Sequence, residues 1–217
     1  FTHCLGRSVL SIDKDWRFLK LTQRDGLSSL NAESSELDDG GWETVSLPHT
    51  WNAEDGAAGS FEKDEGGECY YRGLGAYRKK LFLPSEKYAG KRLFIEFEGA
   101  NTVTELFVNG RFVGKHEGGF SAFRFDITEY IALDGENLIA VKVSNAPTDY
   151  IAPITDQGDF TKMGGIYRDV SLIAAEPLHI DLTDFGSSGV FVTPKNITND
   201  SADIEILIKL ANDGGRD

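Results

Sequence analysis

The sequence predicts an all-β protein. Apolar and polar residues alternate with period two through most of the chain, and almost no segment keeps apolar residues at i, i+3, i+4 and i+7 for three helical turns. Turn chemistry agrees, since Asn109-Gly110 supplies the two residues of positive φ that a type I′ hairpin needs between Leu106-Phe107-Val108 and Arg111-Phe112-Val113. The 217 residues are 40% hydrophobic and include 14 Phe, 7 Tyr and 3 Trp, enough apolar material to bury a core.

Taken in order, strands are expected over Trp16 to Leu21, Thr44 to Leu47, Ala76 to Leu83, Arg92 to Glu98, Val103 to Val108, Phe112 to His116, Ala122 to Phe125, Leu138 to Val143 and Asp169 to Ile173. Nine strands in this span suggest a two-sheet sandwich. Asp126-Ile127-Thr128-Glu129 has the spacing of a reciprocal capping box and predicts one short helical turn through Tyr130 and Ile131, ahead of an Asp134-Gly135 turn. Composition shifts near Glu176-Pro177, and further strands follow at His179 to Asp184, Gly189 to Thr193 and Ile204 to Leu210. We therefore divide the chain into residues 1–176 and 177–217. The second part has too few strands for an immunoglobulin-like core, which takes about 100 residues, and is expected to be the truncated start of one in a longer polypeptide.

Charge and composition exclude several function classes. With 22 Lys plus Arg against 35 Asp plus Glu, the formal charge of −13 and the lack of a basic cluster argue against nucleic acid. No run approaches the ~20 apolar residues of a membrane span. The chain opens at Phe1 without a signal-peptide pattern, as expected of a mature or trimmed product. Cys4 and Cys69 cannot build a disulfide framework or a zinc site, and His3, His49, His116 and His179 lack metal-ligand spacing, so no metal or other cofactor is expected. Neither a Gly-x-Ser-x-Gly elbow nor a phosphate-binding glycine loop occurs.

Two long irregular stretches stand out, because connections beyond about 12 to 15 residues are uncommon in compact domains. Pro48 to Gly75 carries His49, Trp51, Asn52, Asp55, Phe61, Tyr70, Tyr71 and Arg72; Asn145 to Gly165 carries Asp149, Tyr150, Asp156, Gln157, Asp159, Phe160 and Lys162. Ring faces beside carboxylates and amides suit a carbohydrate, whose C–H faces stack on aromatics and whose hydroxyls need acceptors. The same aromatics could simply pack the loops onto the sandwich. For Pro48, His49 and Trp51 a structural anchor is the favoured reading, and Arg168-Asp169 after Gly164-Gly165 reads as fold-making, with an ion pair at the strand start and Tyr167 and Val170 as core positions.

Several strings together resemble a known family. "SLPHTWN" at 46–52, "YYRGLGAYRKKLFLP" at 70–84, "FEGANTVTELFVNGRFVGKHEGGFSAFRFDIT" at 97–128, "GENLIAVKVSN" at 135–145 and "GGIYRDVSL" at 164–172 are similar to the N-terminal sugar-binding domain of glycoside hydrolase family 2, which contains β-galactosidases, β-glucuronidases and β-mannosidases. The resemblance implies a jelly-roll, galactose-binding-like sandwich followed by an immunoglobulin-like domain, and then a catalytic (β/α)8 barrel that is absent from this chain. It implies that the parent is a retaining exo-β-glycosidase in carbohydrate metabolism and that the chain alone is inactive. It also implies that Asp159 lends a substrate contact to the barrel's rim. At the companion position, where some β-galactosidases have Asn, stand Tyr71 and Arg72. The expected partners are a β-linked oligosaccharide or glycoside, the barrel of the same polypeptide and, among the assemblies allowed, a second copy of the chain. A secreted or periplasmic address is expected, with a cytoplasmic one left open. The alternative is a stand-alone, lectin-like carbohydrate-binding module without catalysis.

Overall fold

The computed structural model describes residues 6–21, 30–53, 71–151 and 163–214. Ten strands form two antiparallel sheets. One sheet orders β1 (Arg7–Ser11), β10 (Val170–Ala175), β5 (Arg92–Phe97) and β8 (Phe123–Asp126); the other orders β3 (Glu43–Val45), β2 (Trp16–Lys20), β4 (Leu74–Phe82), β9 (Glu136–Ser144), β6 (Val103–Val108) and β7 (Arg111–Glu117). Successive strand residues face opposite sides, so the alternation in the sequence sends Trp16, Phe18, Tyr77, Leu106, Val108, Ile139, Val141 and Val143 of the larger sheet inward against Leu93, Ile95, Phe97, Phe123, Val170 and Leu172 of the smaller. Each such burial contributes about 1.5–3 kcal/mol, which makes this layer the main source of stability.

The outer face of the larger sheet is covered as well. Arg78 on β4 is buried and reaches into the segment 32–39: its Nε donates to Asp39 Oδ2 at 2.7 Å and its other nitrogens donate to the carbonyls of Ala32, Ser34 and Leu37 at 2.7–3.2 Å. Lys142 on β9 pairs with Glu33 at 2.9 Å. Two cations in the sheet thus hold an irregular segment over it by satisfying its carbonyls and acids, the condition under which buried charge is tolerated.

The remaining strands pair as β11 (Leu178–Ile180) with β14 (Leu210–Asn212) and β12 (Val190–Lys195) with β13 (Asp203–Ile208). β11 lies against the outer face of the smaller sheet, where His179 meets Phe94 edge-on at 5.5 Å and Phe94, Ile173, Ala175 and Leu182 form a second, small apolar cluster. Arg124, paired with Glu96 across the ladder, donates from Nη1 to the carbonyls of Leu182 at 3.2 Å and Ser187 at 2.7 Å.

Several expectations needed correction. β1 went unread because all five of its residues stand exposed on a sheet edge, where no burial pattern is imposed on the sequence. The strand expected over Ile204 to Leu210 breaks at Lys209, whose backbone N–H turns to Gly189 O at 2.8 Å, and the one expected over His179 to Asp184 ends at Ile180. A single helical turn, α1 (Ser85–Tyr88), was also missed. The capping box is a simpler Asx turn, in which Asp126 Oδ1 accepts the Thr128 N–H at 2.9 Å; the 3-10 turn that follows at Thr128–Tyr130 has Ile127 at its N-cap and no side-chain cap. Arg168 does not pair with Asp169; it lies over the Tyr167 ring at 5.5 Å and donates to Glu98 O. Ile166, not the half-buried Tyr167, fills the core beside Val170. The hairpin at Asn109 (φ 52) and Gly110 (φ 78) formed as expected.

Candidate functional site

The register of β4 and β9 positions the site. These strands pair antiparallel over nine residues, from Leu74 against Ser144 to Phe82 against Glu136. The start of β4 therefore lies beside the end of β9, and the long stretch entering β4 shares one rim of the sandwich with the long stretch leaving β9. Two connections read separately in the sequence are neighbours by strand pairing alone.

Two buried carboxamides join their roots. Asn52 donates from Nδ2 to Tyr71 O at 2.9 Å, and its Oδ1 accepts the Gly164 N–H at 2.7 Å and Asn145 Nδ2 at 3.3 Å. Asn145 accepts the Gly73 N–H at 2.8 Å on Oδ1 and donates from Nδ2 to Tyr71 O at 3.2 Å. Thr50 Oγ1 donates to Gly164 O at 2.7 Å. Both backbone polar groups of Gly164, its N–H and its carbonyl, are thus captured by side chains of the first stretch, which replaces the strand pairing that an irregular rim cannot offer.

The two glycines are required by this approach. A methyl on Gly164 would overlap Cζ2 and Cε2 of Trp51 and sit 2.8 Å from Asn145 Cγ; at Gly165, with φ +122, it would come within 2.5 Å of His49 O and 2.9 Å of the Tyr77 hydroxyl. Trp51 is buried and stacks parallel to Phe18 at 6.1 Å. His49 donates its backbone N–H to Ile166 O at 2.8 Å, and its Nδ1 meets the Tyr77 hydroxyl at 2.8 Å. The Tyr77 oxygen is also hydrogen-bonded to the Ile166 backbone, so hydroxyl, imidazole and the segment entering β10 meet at one point. Burial holds His49 below the ordinary histidine range, against a weaker upward pull from Glu43, and burial pushes the Tyr77 hydroxyl far upward. Phe18, Lys20, Glu43, His49, Thr50 and Trp51 line an adjoining groove of about 550 Å³.

His49 and Trp51 therefore act as anchors, as expected. Tyr71 belongs to the same framework: its hydroxyl accepts the Leu74 N–H at 3.1 Å, its ring meets Trp51 edge-on at 6.4 Å, and its carbonyl is the common acceptor of both asparagines. Arg72 follows it, half-buried. Asp159 lies outside the described residues, as do Cys4 and Cys69. The sequence reading missed the role of Asn52 and Asn145; the available signal was an amide closing the apolar run of β9, where a polar residue must find partners.

Among the described residues, the carboxyl groups with displaced proton affinity, Glu117, Asp134 and Asp181, all move downward through hydrogen bonds from Lys115, Ser85 and Thr183 respectively. A glycosidic general acid needs the opposite displacement. No group of three or more His, Cys, Asp or Glu is arranged to hold a metal, and no helix is long and apolar enough to cross a membrane, again among the described residues.

The site is thus a two-sheet sandwich with two connections stapled together at one rim. The chain belongs to the glycosyl hydrolases family 2, sugar binding domain, whose family model matches residues 9–176. It is 37% identical over 168 residues to a β-glucuronidase of Bacteroides fragilis, covering 77% of this chain and 23% of that protein. It is 40% identical over 177 residues to a β-galactosidase of Thermoanaerobacter pseudethanolicus, covering 81% and 22%. Among solved structures, a calcium-binding mutant of Bacteroides uniformis β-glucuronidase 2 superposes with a TM-score of 0.82 at 38% identity, over 95% of this chain and 22% of that one. The chain thus spans less than a quarter of the length of these two curated relatives, and corresponds to their N-terminal part.

Proposed function

We propose that this chain is the non-catalytic opening of a retaining β-glycosidase that removes terminal sugars from β-linked substrates, and that its stapled rim contributes substrate contacts to an active site whose acid and nucleophile lie outside the chain. The observation that carries the reading is the Asn52–Asn145–Gly164 bracket, which delivers both long connections to one place from a rigid base. Membership of the sugar-binding family and relatives named β-glucuronidase and β-galactosidase support it. A free-standing lectin-like module is not favoured, because the relatives are several times longer than their matched segment.

In this reading Asp159, on the second connection, accepts hydrogen bonds from hydroxyls of the terminal sugar, and Tyr71 and Arg72 flank it from the first. Residues 177–217 open a second, immunoglobulin-like sandwich. In support, β12 and β13 pair Val190, Val192 and Pro194 with Ile208, Ile206 and Ile204 on one face, while Thr193, Lys195, Glu205 and Asp203 share the other with the Phe191–Leu207 pair. A two-stranded ribbon with one apolar face is marginal by itself and gains stability when another layer covers it.

Asp159→Ala in the full-length enzyme is expected to lower kcat/KM on its preferred β-glycoside more than tenfold, equivalent to about 1.4 kcal/mol or more of transition-state stabilisation, with little change in unfolding midpoint. Unchanged kinetics across galactoside, glucuronide and mannoside substrates would remove Asp159 from the site.

A further inference from the structure

The two sheets of the sandwich end in four edge strands, and three of them are protected against further pairing. β3 is three residues long and opens on the exposed Glu43. β7 carries Arg111, Lys115 and Glu117, and a register shift interrupts its pairing with β6. The turn at Gly186 abuts the start of β8, where a methyl on that glycine would come within 2.6 Å of Ala122 O. β1 has none of these devices. Its last four residues, Ser8-Val9-Leu10-Ser11, are uncharged and contain no proline, and Val9 and Leu10 are 56% and 42% exposed.

The ladder to β10 fixes which backbone groups β1 has left over. At the two ends of that pairing, Glu176 donates its N–H to Gly6 O at 3.1 Å and Ile12 donates to Val170 O at 3.0 Å. Hydrogen-bonded residues alternate along an antiparallel strand, so Gly6, Ser8, Leu10 and Ile12 turn their peptide groups toward β10. The N–H and C=O of Arg7, Val9 and Ser11 therefore point away from the sheet.

We propose that β1 pairs antiparallel with β1 of a second copy, about a twofold axis at Val9. This register sets Val9 against the partner's Val9 and Arg7 against the partner's Ser11. All three outward-facing residues then gain a hydrogen-bonded partner, and two four-stranded sheets become one of eight strands. It also brings Arg7 to the same face as the partner's Asp13, one diagonal step along the ladder; within a single copy neither residue makes an ion pair among the described residues. That charge match, present twice, selects a second copy over an unrelated extended peptide. The charge of −13 on each copy opposes approach and the paired strand is short, so the association is weak and reversible.

The test is sedimentation velocity on the full-length polypeptide that carries this chain, from about 1 μM to about 200 μM, the range in which a contact of this size is expected to form. The expected result is a concentration-dependent association step that Val9→Lys removes, since it sets two ammonium groups face to face, with the circular dichroism spectrum unchanged at so exposed a position. Register is read separately by mixing a Ser8→Cys protein with a Leu10→Cys protein, other cysteines being replaced by serine, and oxidising. Position 8 faces position 10 of the partner in a non-hydrogen-bonded pair, so the mixed 8–10 disulfide is expected to exceed the 8–8 and 10–10 products by about fivefold or more. Absence of the association step, a step that survives Val9→Lys, or equal yields of the three disulfides would overturn the proposal.

Discussion

Substituting Gly164 by alanine probes the stapled rim at its tightest point. The added methyl would overlap the benzo ring of Trp51 and press on Asn145 Cγ at 2.8 Å. Trp51 cannot retreat freely, since Phe18 stacks on it and Gly75 leaves no clearance beside it, where a methyl would meet Trp51 Cζ3 at 2.5 Å. Overpacking typically costs about 1–3 kcal/mol, and the displaced peptide also loses bonds from Asn52 and Thr50 that are worth ~1 kcal/mol each. We therefore expect Gly164→Ala to destabilise the chain by roughly 3–5 kcal/mol, read as a fall in the urea midpoint by circular dichroism. Gly41→Ala is the control: nothing lies within 4 Å of the added carbon, and its effect should stay within about 0.5 kcal/mol. The decisive assay is a double-mutant cycle with Trp51→Ala. Removing the indole by itself creates a cavity costing ~3–5 kcal/mol, but it also removes the obstacle, so the pair should lose at least ~1.5 kcal/mol less than the sum. Additive losses would refute the claim that Gly164 is required by the close approach of Trp51.

Further expectations follow from the same rim and core. Asn145→Ala leaves the half-buried Gly73 N–H without its acceptor and should cost about 1–3 kcal/mol, whereas an exposed asparagine such as Asn199 should be nearly silent; equal effects in urea titrations would contradict the bracket. His49 and His116 are both held below the ordinary histidine range, chiefly by burial. The unfolded chain then takes up their protons first as pH falls, so stability is fullest above about pH 6.5 and declines as pH drops toward the lower folded-state values. Urea midpoints between pH 7.5 and 5 should show that decline, flattened in the His49→Gln/His116→Gln variant; an unaltered slope would show that these groups do not set it.

Much of the fold is legible locally because a period-two pattern is what a half-buried strand writes into its sequence, and Asn109-Gly110 has few alternatives to a tight hairpin. β1 is illegible for the converse reason, being exposed throughout. Strand pairing was the larger gap. Nothing in "GAYRKKLF" or "ENLIAVKVS" says that these segments lie side by side, yet that pairing brings the two long connections together. Gly164-Gly165 could be recognised as permitting tight backbone geometry, but the reason for it, the approach of Trp51 and the His49 carbonyl, comes from a segment more than a hundred residues earlier. Arg78 likewise reads as a surface cation in an alternating strand, and is buried because residues 32–39 fold over it.

The central claim is that this chain is one part of a β-glycosidase whose bond-breaking groups lie elsewhere in the same polypeptide. The most direct measurement is the size and activity of the native protein in its source, isolated with an antibody against this chain, peptide-mapped past Asp217 and assayed on nitrophenyl β-glycosides. The account predicts a species of ~800 residues, the length at which a 177-residue match makes up 22%, that hydrolyses at least one β-glycoside while the 217-residue chain hydrolyses none. A native species of 217 residues, or turnover that scales with the concentration of this chain alone, would contradict it.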